Sequence, residues 1–156
     1  MKIRTDFVTN SSSTSYISLN ISGKKLMEII NKYKYLFDEA NINGLSITDE
    51  FSFNESDCSD YTIPTTENNI GIAFLNFLVE MLNNHQVQDL RFNTMLQEMN
   101  DNLKEINDTI MYLNWNEMNE PYDPQEQSES FTASYDGKNF NYIEEISEYD
   151  EEDLEG

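Results

Sequence analysis

The dipeptide Asp136-Gly137 separates two short alternating segments, residues 131–135 and 138–142. A type I′ turn needs positive φ at both central positions, and Asp-Gly meets that demand at little steric cost. The flanks must then run back antiparallel, so the chain contains a β-hairpin and cannot be a simple helical bundle. A two-residue loop predicts that Ala133 faces Phe140 and Phe131 faces Tyr142. Both pairs then fall on one apolar face.

Upstream, residues 16–21 also alternate, with Ile17, Leu19 and Ile21 on one side, which predicts a half-buried strand. After Ser22-Gly23, the residues Leu26, Ile29, Ile30, Tyr33, Phe37 and Ala40 follow the spacing of one helical face. Asn43-Gly44 supplies a stop. Residues 45–47 and 51–53 alternate again, as a strand bent around Asp49-Glu50. Residues 54–66, with Pro64, read as a loop. A second helix is predicted from Thr66-Glu67 to Leu82, apolar nearly all round and hence the most buried element, with Asn83, Asn84 and His85 ending it.

A third helix is predicted after Asp89, a natural N-cap. Phe92, Leu96, Met99, Leu103, Ile106, Ile110 and Leu113 are spaced 4, 3, 4, 3, 4, 3, a heptad stripe. Two readings stand. In one, this helix packs against its predecessor inside the domain. In the other, residues 90–113 form a dimer seam through Leu96, Met99, Leu103, Ile106 and Ile110. Pro121, Pro124 and the polar run 125–129 read as a linker before the hairpin.

The expected fold is α+β: a small, mostly antiparallel sheet with three helices packed on one face, ending in a β-hairpin and an acidic tail. The division is a Ser-rich segment 1–15, a single domain 16–146 and a solvated, disordered tail 147–156.

Charge sets the choice of partner. Thirty Asp and Glu against nine Lys and Arg give −21. Up to Asn116 the balance is 16 acids to 8 bases; from Glu117 onward it is 14 acids to one base, Lys138. Such a field repels nucleic acid and anionic membranes and attracts basic protein surfaces. The expected partner is therefore a basic protein surface, that of a nucleic-acid-binding enzyme, with no direct contact to nucleic acid or membrane. The residues expected to meet it are Glu148, Asp150, Glu151, Glu152 and Asp153, joined by Asp57 and Asp60. Solubility is the competing explanation for the same acids.

Reaction chemistry has little to work with. His85 is the only histidine and sits at a predicted helix end, where an imidazolium would complement the dipole. Cys58 is the single cysteine and lies in a loop without activating neighbours. No EF-hand, zinc spacing or phosphate loop is present, so neither catalysis nor a cofactor nor a metal is expected; Asp57 and Asp60 would hold a cation only weakly. One cysteine, no apolar leader in the first twenty residues and no long apolar run together predict a cytoplasmic protein.

The N-terminal residues RTDFVTNSSSTSYI stand apart from the rest. Arg4, Phe7, Val8, Thr9, Asn10, Ser11, Ser12, Ser13, Ser15, Tyr16 and Ile17 resemble the opening of a group of small, mostly uncharacterised proteins of Firmicutes, their phages and other mobile elements. Thr14 departs from the all-serine run of that group. The resemblance covers about a tenth of the chain and carries no catalytic residue. It implies a phage or mobile-element origin, and with the charge it points to an inhibitor in the manner of anti-restriction or anti-CRISPR proteins, acting as a nucleic-acid mimic in a bacterial host cell. A structural or assembly component built on the heptad helix is the alternative.

Overall fold

In a computed structural model of the chain, residues 13–56, 61–121 and 127–147 are described. The strands are β1 (Ser13–Gly23), β2 (Leu45–Ile47), β3 (Phe51–Ser56), β4 (Ile110–Pro121), β5 (Ser128–Tyr135) and β6 (Phe140–Ser147). They form one open sheet in the order β2-β3-β1-β4-β5-β6, with every pairing antiparallel. Five helices accompany it: α1 (Lys24–Lys32), α2 (Lys34–Ala40), α3 (Ile70–Asn84), α4 (Arg91–Asp101) and α5 (Leu103–Asp108). The class is α+β.

Period-two alternation decides which face is covered. Ile17, Leu19 and Ile21 of β1 are buried beside Phe51 and Phe53 of β3, and Leu113 and Trp115 of β4. The opposite face is mixed: the cross-strand row Ser52, Asn20, Asn114, Ser134 and Asn141 is neutral and polar, while Tyr16, Met118 and Ile143 are exposed apolar side chains. Within that row Ser52 donates to Asn20 Oδ1 at 2.6 Å.

Phe77 on α3 ties the two layers together. Its ring lies 5.6 Å from Phe53, 5.1 Å from Tyr61 and 5.8 Å from Trp115. Phe74 and Phe37 extend the cluster through Phe51, and Phe37 carries it on to Phe92 of α4. Aromatic rings bury large areas and favour these edge-on contacts, so this cluster supplies much of the apolar burial.

Several expectations need correction. The predicted three helices are five. The first divides at Tyr33, whose hydroxyl donates to Glu98 Oε1 on α4 at 2.8 Å. The predicted third helix divides at Asn102, whose side-chain amide donates to the Glu98 carbonyl at 2.7 Å and so competes with the helix for its own acceptor. It then stops well short of Leu113. Thr109 Oγ1 donates to the Glu105 carbonyl at 2.9 Å, while its own backbone oxygen receives Lys24 N–H at 3.2 Å. Ile110 and Leu113 therefore belong to β4, the strand at the sheet centre. Of the residues named for the dimer seam, Met99, Ile106 and Ile110 are buried in this chain, Leu96 packs against the core and Leu103 is half-buried. The heptad spacing was helical for two elements and coincidental thereafter.

The hairpin is present with a different register. Tyr135 pairs Phe140, Ala133 pairs Tyr142 and Phe131 pairs Glu144, so the loop is the four residues 136–139. A two-residue slip preserves the face of every side chain. Asp136 Oδ1 explains the longer loop: it accepts Asn139 N–H at 2.7 Å and Lys138 N–H at 2.9 Å. Gly137 takes φ +89° between them. Finally, the apolar circumference of α3 is not buried all round: Ile72 and Val79 are exposed. The strand bent around Asp49-Glu50 is the β2–β3 hairpin, and Asp89 does accept the Arg91 N–H at 3.0 Å at the start of α4.

Two outcomes follow from this packing. Phe77→Ala should lose about 3–5 kcal/mol in urea denaturation, the range for an emptied aromatic site, whereas Val79→Ala should stay within about 0.5 kcal/mol. The Asp136 carboxyl is held below the ordinary carboxylate value by the Asn139 and Lys138 amides. A depressed folded pKa stabilises at neutral pH and loses that contribution as pH falls through it. The stability gap between wild type and Asp136→Ala should therefore narrow in acid, as followed by denaturation at descending pH.

Candidate interaction surface at one end of the sheet

Antiparallel pairing makes β3, β4 and β6 run one way and β1 and β5 the other. Ser56, Pro121 and Ser147 therefore finish at the same end of the sheet, beside the starts of β1 and β5. That end gathers the acids. One cross-strand row on the helix-side face reads Glu55, Ile17, Glu117, Phe131, Glu144. The next row, on the open face, ends in Glu145. Glu129 and Glu120 stand one and two residues further out. These six are all the acids in the strands, and no strand contains a Lys or Arg.

The helices are balanced by contrast. Lys25, Lys32, Lys34, Arg91 and Lys104 each lie within ion-pair distance of a helix-layer or loop carboxylate. The tightest cross-element case joins α1 to α4. Lys32 Nζ lies 2.7 Å from Glu98 Oε2, and that hydrogen bond, then the one from Tyr33, holds the Glu98 carboxyl below its ordinary value. Among the described residues the strands thus hold six acids and no base, all toward one end of the sheet, whereas the helices hold eight acids against six bases.

Two acids there have defined surroundings. Glu117 is buried between Ile17 and Phe131, at 4% exposure. A carboxylate in such a place needs hydrogen bonds or a cation to offset its lost hydration. Glu55 Oε1 accepts the Tyr61 hydroxyl at 2.8 Å and lies 3.2 Å from His85 Nε2. His85 is edge-on to Phe53, with centroids 5.9 Å apart. The imidazole thus joins the end of α3 to β3, and its partner is Glu55, an acid the sequence reading did not connect to it.

The partner-binding residues expected from sequence, Glu148, Asp150, Glu151, Glu152, Asp153, Asp57 and Asp60, lie outside the described residues, as does Cys58. The chain enters their segments from Ser147 and Ser56, both at the acidic end. The six strand carboxylates do not form a group in the sequence, where Glu55 falls in the loop 54–66, Glu129 in the polar run 125–129 and Glu144 and Glu145 at the start of the acidic C-terminal stretch. The lack of Lys and Arg becomes visible only with the strand bounds of the structure, since the alternating segment 138–142 begins with Lys138. Among the described residues, no cluster of three or more His, Cys, Asp or Glu is arranged to hold a metal, and no helix is long and apolar enough to cross a membrane.

No protein-family model matches this chain, and neither a curated protein nor a solved structure matches it.

Adjacent strands lie about 4.8 Å apart, so acids two strands apart are about 10 Å from each other. That is close to the Debye length at about 0.1 M salt. Added salt should therefore raise the urea midpoint of the wild-type protein. The rise should be smaller when Glu145 and the acids of 148–155 are changed to their amides, which compares the two salt slopes directly.

Proposed function

We propose that this chain is a non-enzymatic acidic binding protein that docks on the basic surface of a nucleic-acid-binding protein and modulates or inhibits it. The observation that carries the reading is the segregation of charge: ion-paired helices, and a sheet without Lys or Arg whose six carboxylates share one end. A surface meant only for solubility is served by acids scattered with bases over all faces. A single-signed patch instead steers an oppositely charged partner and opposes nucleic acid. Carboxylates grouped in this way would occupy positions that phosphates take on such a partner. The resemblance of the N-terminal word to phage and mobile-element proteins favours an inhibitor of host defence, of the anti-restriction or anti-CRISPR kind, acting in the bacterial cytoplasm.

The assembly reading has less support, because the stripe on which it depended is divided between α4, α5 and β4, and its residues other than the half-buried Leu103 pack in or against the core. His85, held between Glu55 and Phe53, has a structural task that needs no catalysis.

The test is capture of proteins from a bacterial lysate on the immobilised chain at about 0.1 M and about 1 M salt, where the Debye length falls from about 10 Å to about 3 Å. Nucleic-acid-binding proteins should be enriched at low salt and lost at high salt. They should also be lost when Glu120, Glu145 and the acids of 148–155 become amides. An unchanged set of captured proteins with that variant would refute the reading.

A further inference from the structure

We propose that β6 is a docking strand, and that an extended cationic segment of the partner adds to its free edge as a seventh strand of the sheet. The inference rests on the acidic-partner reading above and specifies how that partner is held. β6 closes the sheet order with β5 on one side and, among the described residues, no strand on the other. Its ladder to β5 is unbroken from Phe140 to Ser147, so the backbone is extended and regular over eight residues. The opposite edge, β2, has only three.

Edge strands expose a row of backbone donors and acceptors, and proteins normally blunt them with proline, lysine, a bulge or shortness. β2 uses shortness. β6 has no proline, no lysine and no register shift. It also shows two large apolar side chains at its edge, Ile143 at 52% and Ile146 at 45% exposure. What guards it is charge, in Glu144 on one face and Glu145 on the other.

Charge also selects the occupant. A second copy would bring another chain of net charge −21 against the first and set like charges across the new ladder, which destabilises pairing. A segment mixing Lys or Arg with β-branched residues would meet Glu144 and Glu145 with opposite charge and cover Ile143 and Ile146. Backbone hydrogen bonds would give affinity and the alternate side chains selectivity, as in other strand additions.

The experiment follows backbone amide hydrogen exchange in the full chain with three peptides: lysine alternating with valine, the same peptide with proline for valine, and glutamate alternating with valine. At about ten times its Kd, the lysine–valine peptide should slow exchange along β6 about tenfold and leave β2 unchanged. The proline peptide, of equal charge but unable to pair, should give no protection. Glu145→Lys should weaken the lysine–valine peptide and admit the glutamate–valine peptide. If both cationic peptides bind alike without protecting β6, strand addition is wrong while the acidic-partner reading stands. If neither binds, both fail. Protection of β6 that grows with protein concentration in the absence of peptide would make the occupant a second copy and overturn the proposal.

Discussion

The pairing of β1 with β4 is the constraint on which the rest of the structure depends. They are the two longest strands, they lie at the centre of the sheet, and their register runs from Ser13↔Pro121 to Gly23↔Ile110. Joining them closes most of the chain into one loop, a slow event entropically because nothing local rewards it until the strands meet. Once they meet, β3 and β5 each have an edge to join, and the covered face of the pair offers Ile17, Leu19, Ile21, Leu113 and Trp115 to the helices. The junction at Gly23 shows how tight the closure is. A Cβ there would lie 2.6 Å from the Thr109 carbonyl oxygen and 2.8 Å from Ile110 Cα, so only glycine lets the two chains pass. The ladder shifts register at that point, and the Thr109 backbone oxygen and hydroxyl receive the first N–H groups of α1.

How much of this was legible depended on whether a segment carried one periodicity or two. β1, the β5–β6 hairpin and α3 each showed a single pattern, and each is where the sequence placed it. The central strand β4 was hidden because Ile106, Ile110 and Leu113 continue a helical stripe while Leu113, Trp115 and Glu117 alternate as a strand does. Asparagines at 114, 116 and 119 weakened the strand signal further, since Asn is poor in β-structure. The switch at Thr109 is tertiary: its partners Lys24 and Lys25 lie far away in sequence. The hairpin loop was mistaken for a smaller reason, since Asp-Gly suits a tight turn, yet Asp136 here uses its carboxylate to close a longer one.

The acidic end was half legible. Composition revealed the excess of acids after Glu117, and the tail drew attention because its acids are consecutive. The strand carboxylates became a group only through pairing: Glu55 and Glu144 are far apart in sequence but occupy one cross-strand row with Glu117. Strand direction does the rest, because three strands deliver their last residues, Ser56, Pro121 and Ser147, to a common end. A site of this kind is written in register, not in any local word.

In the proposed strand addition the same carboxylates also bear on the outer edge of β6, which among the described residues pairs with no further strand. A regular eight-residue strand bearing exposed isoleucines is a template for self-association. In that reading, Glu144 and Glu145 on its two faces set like charges against a second copy, which disfavours pairing with its own kind without proline or a bulge. That protection has a direction, which the steric devices lack: it is removed by a positively charged strand and strengthened by a negative one. Under the proposal, charge used as a guard would leave the backbone of β6 open to an added strand, with the selectivity of the edge set by the sign of whatever approaches it.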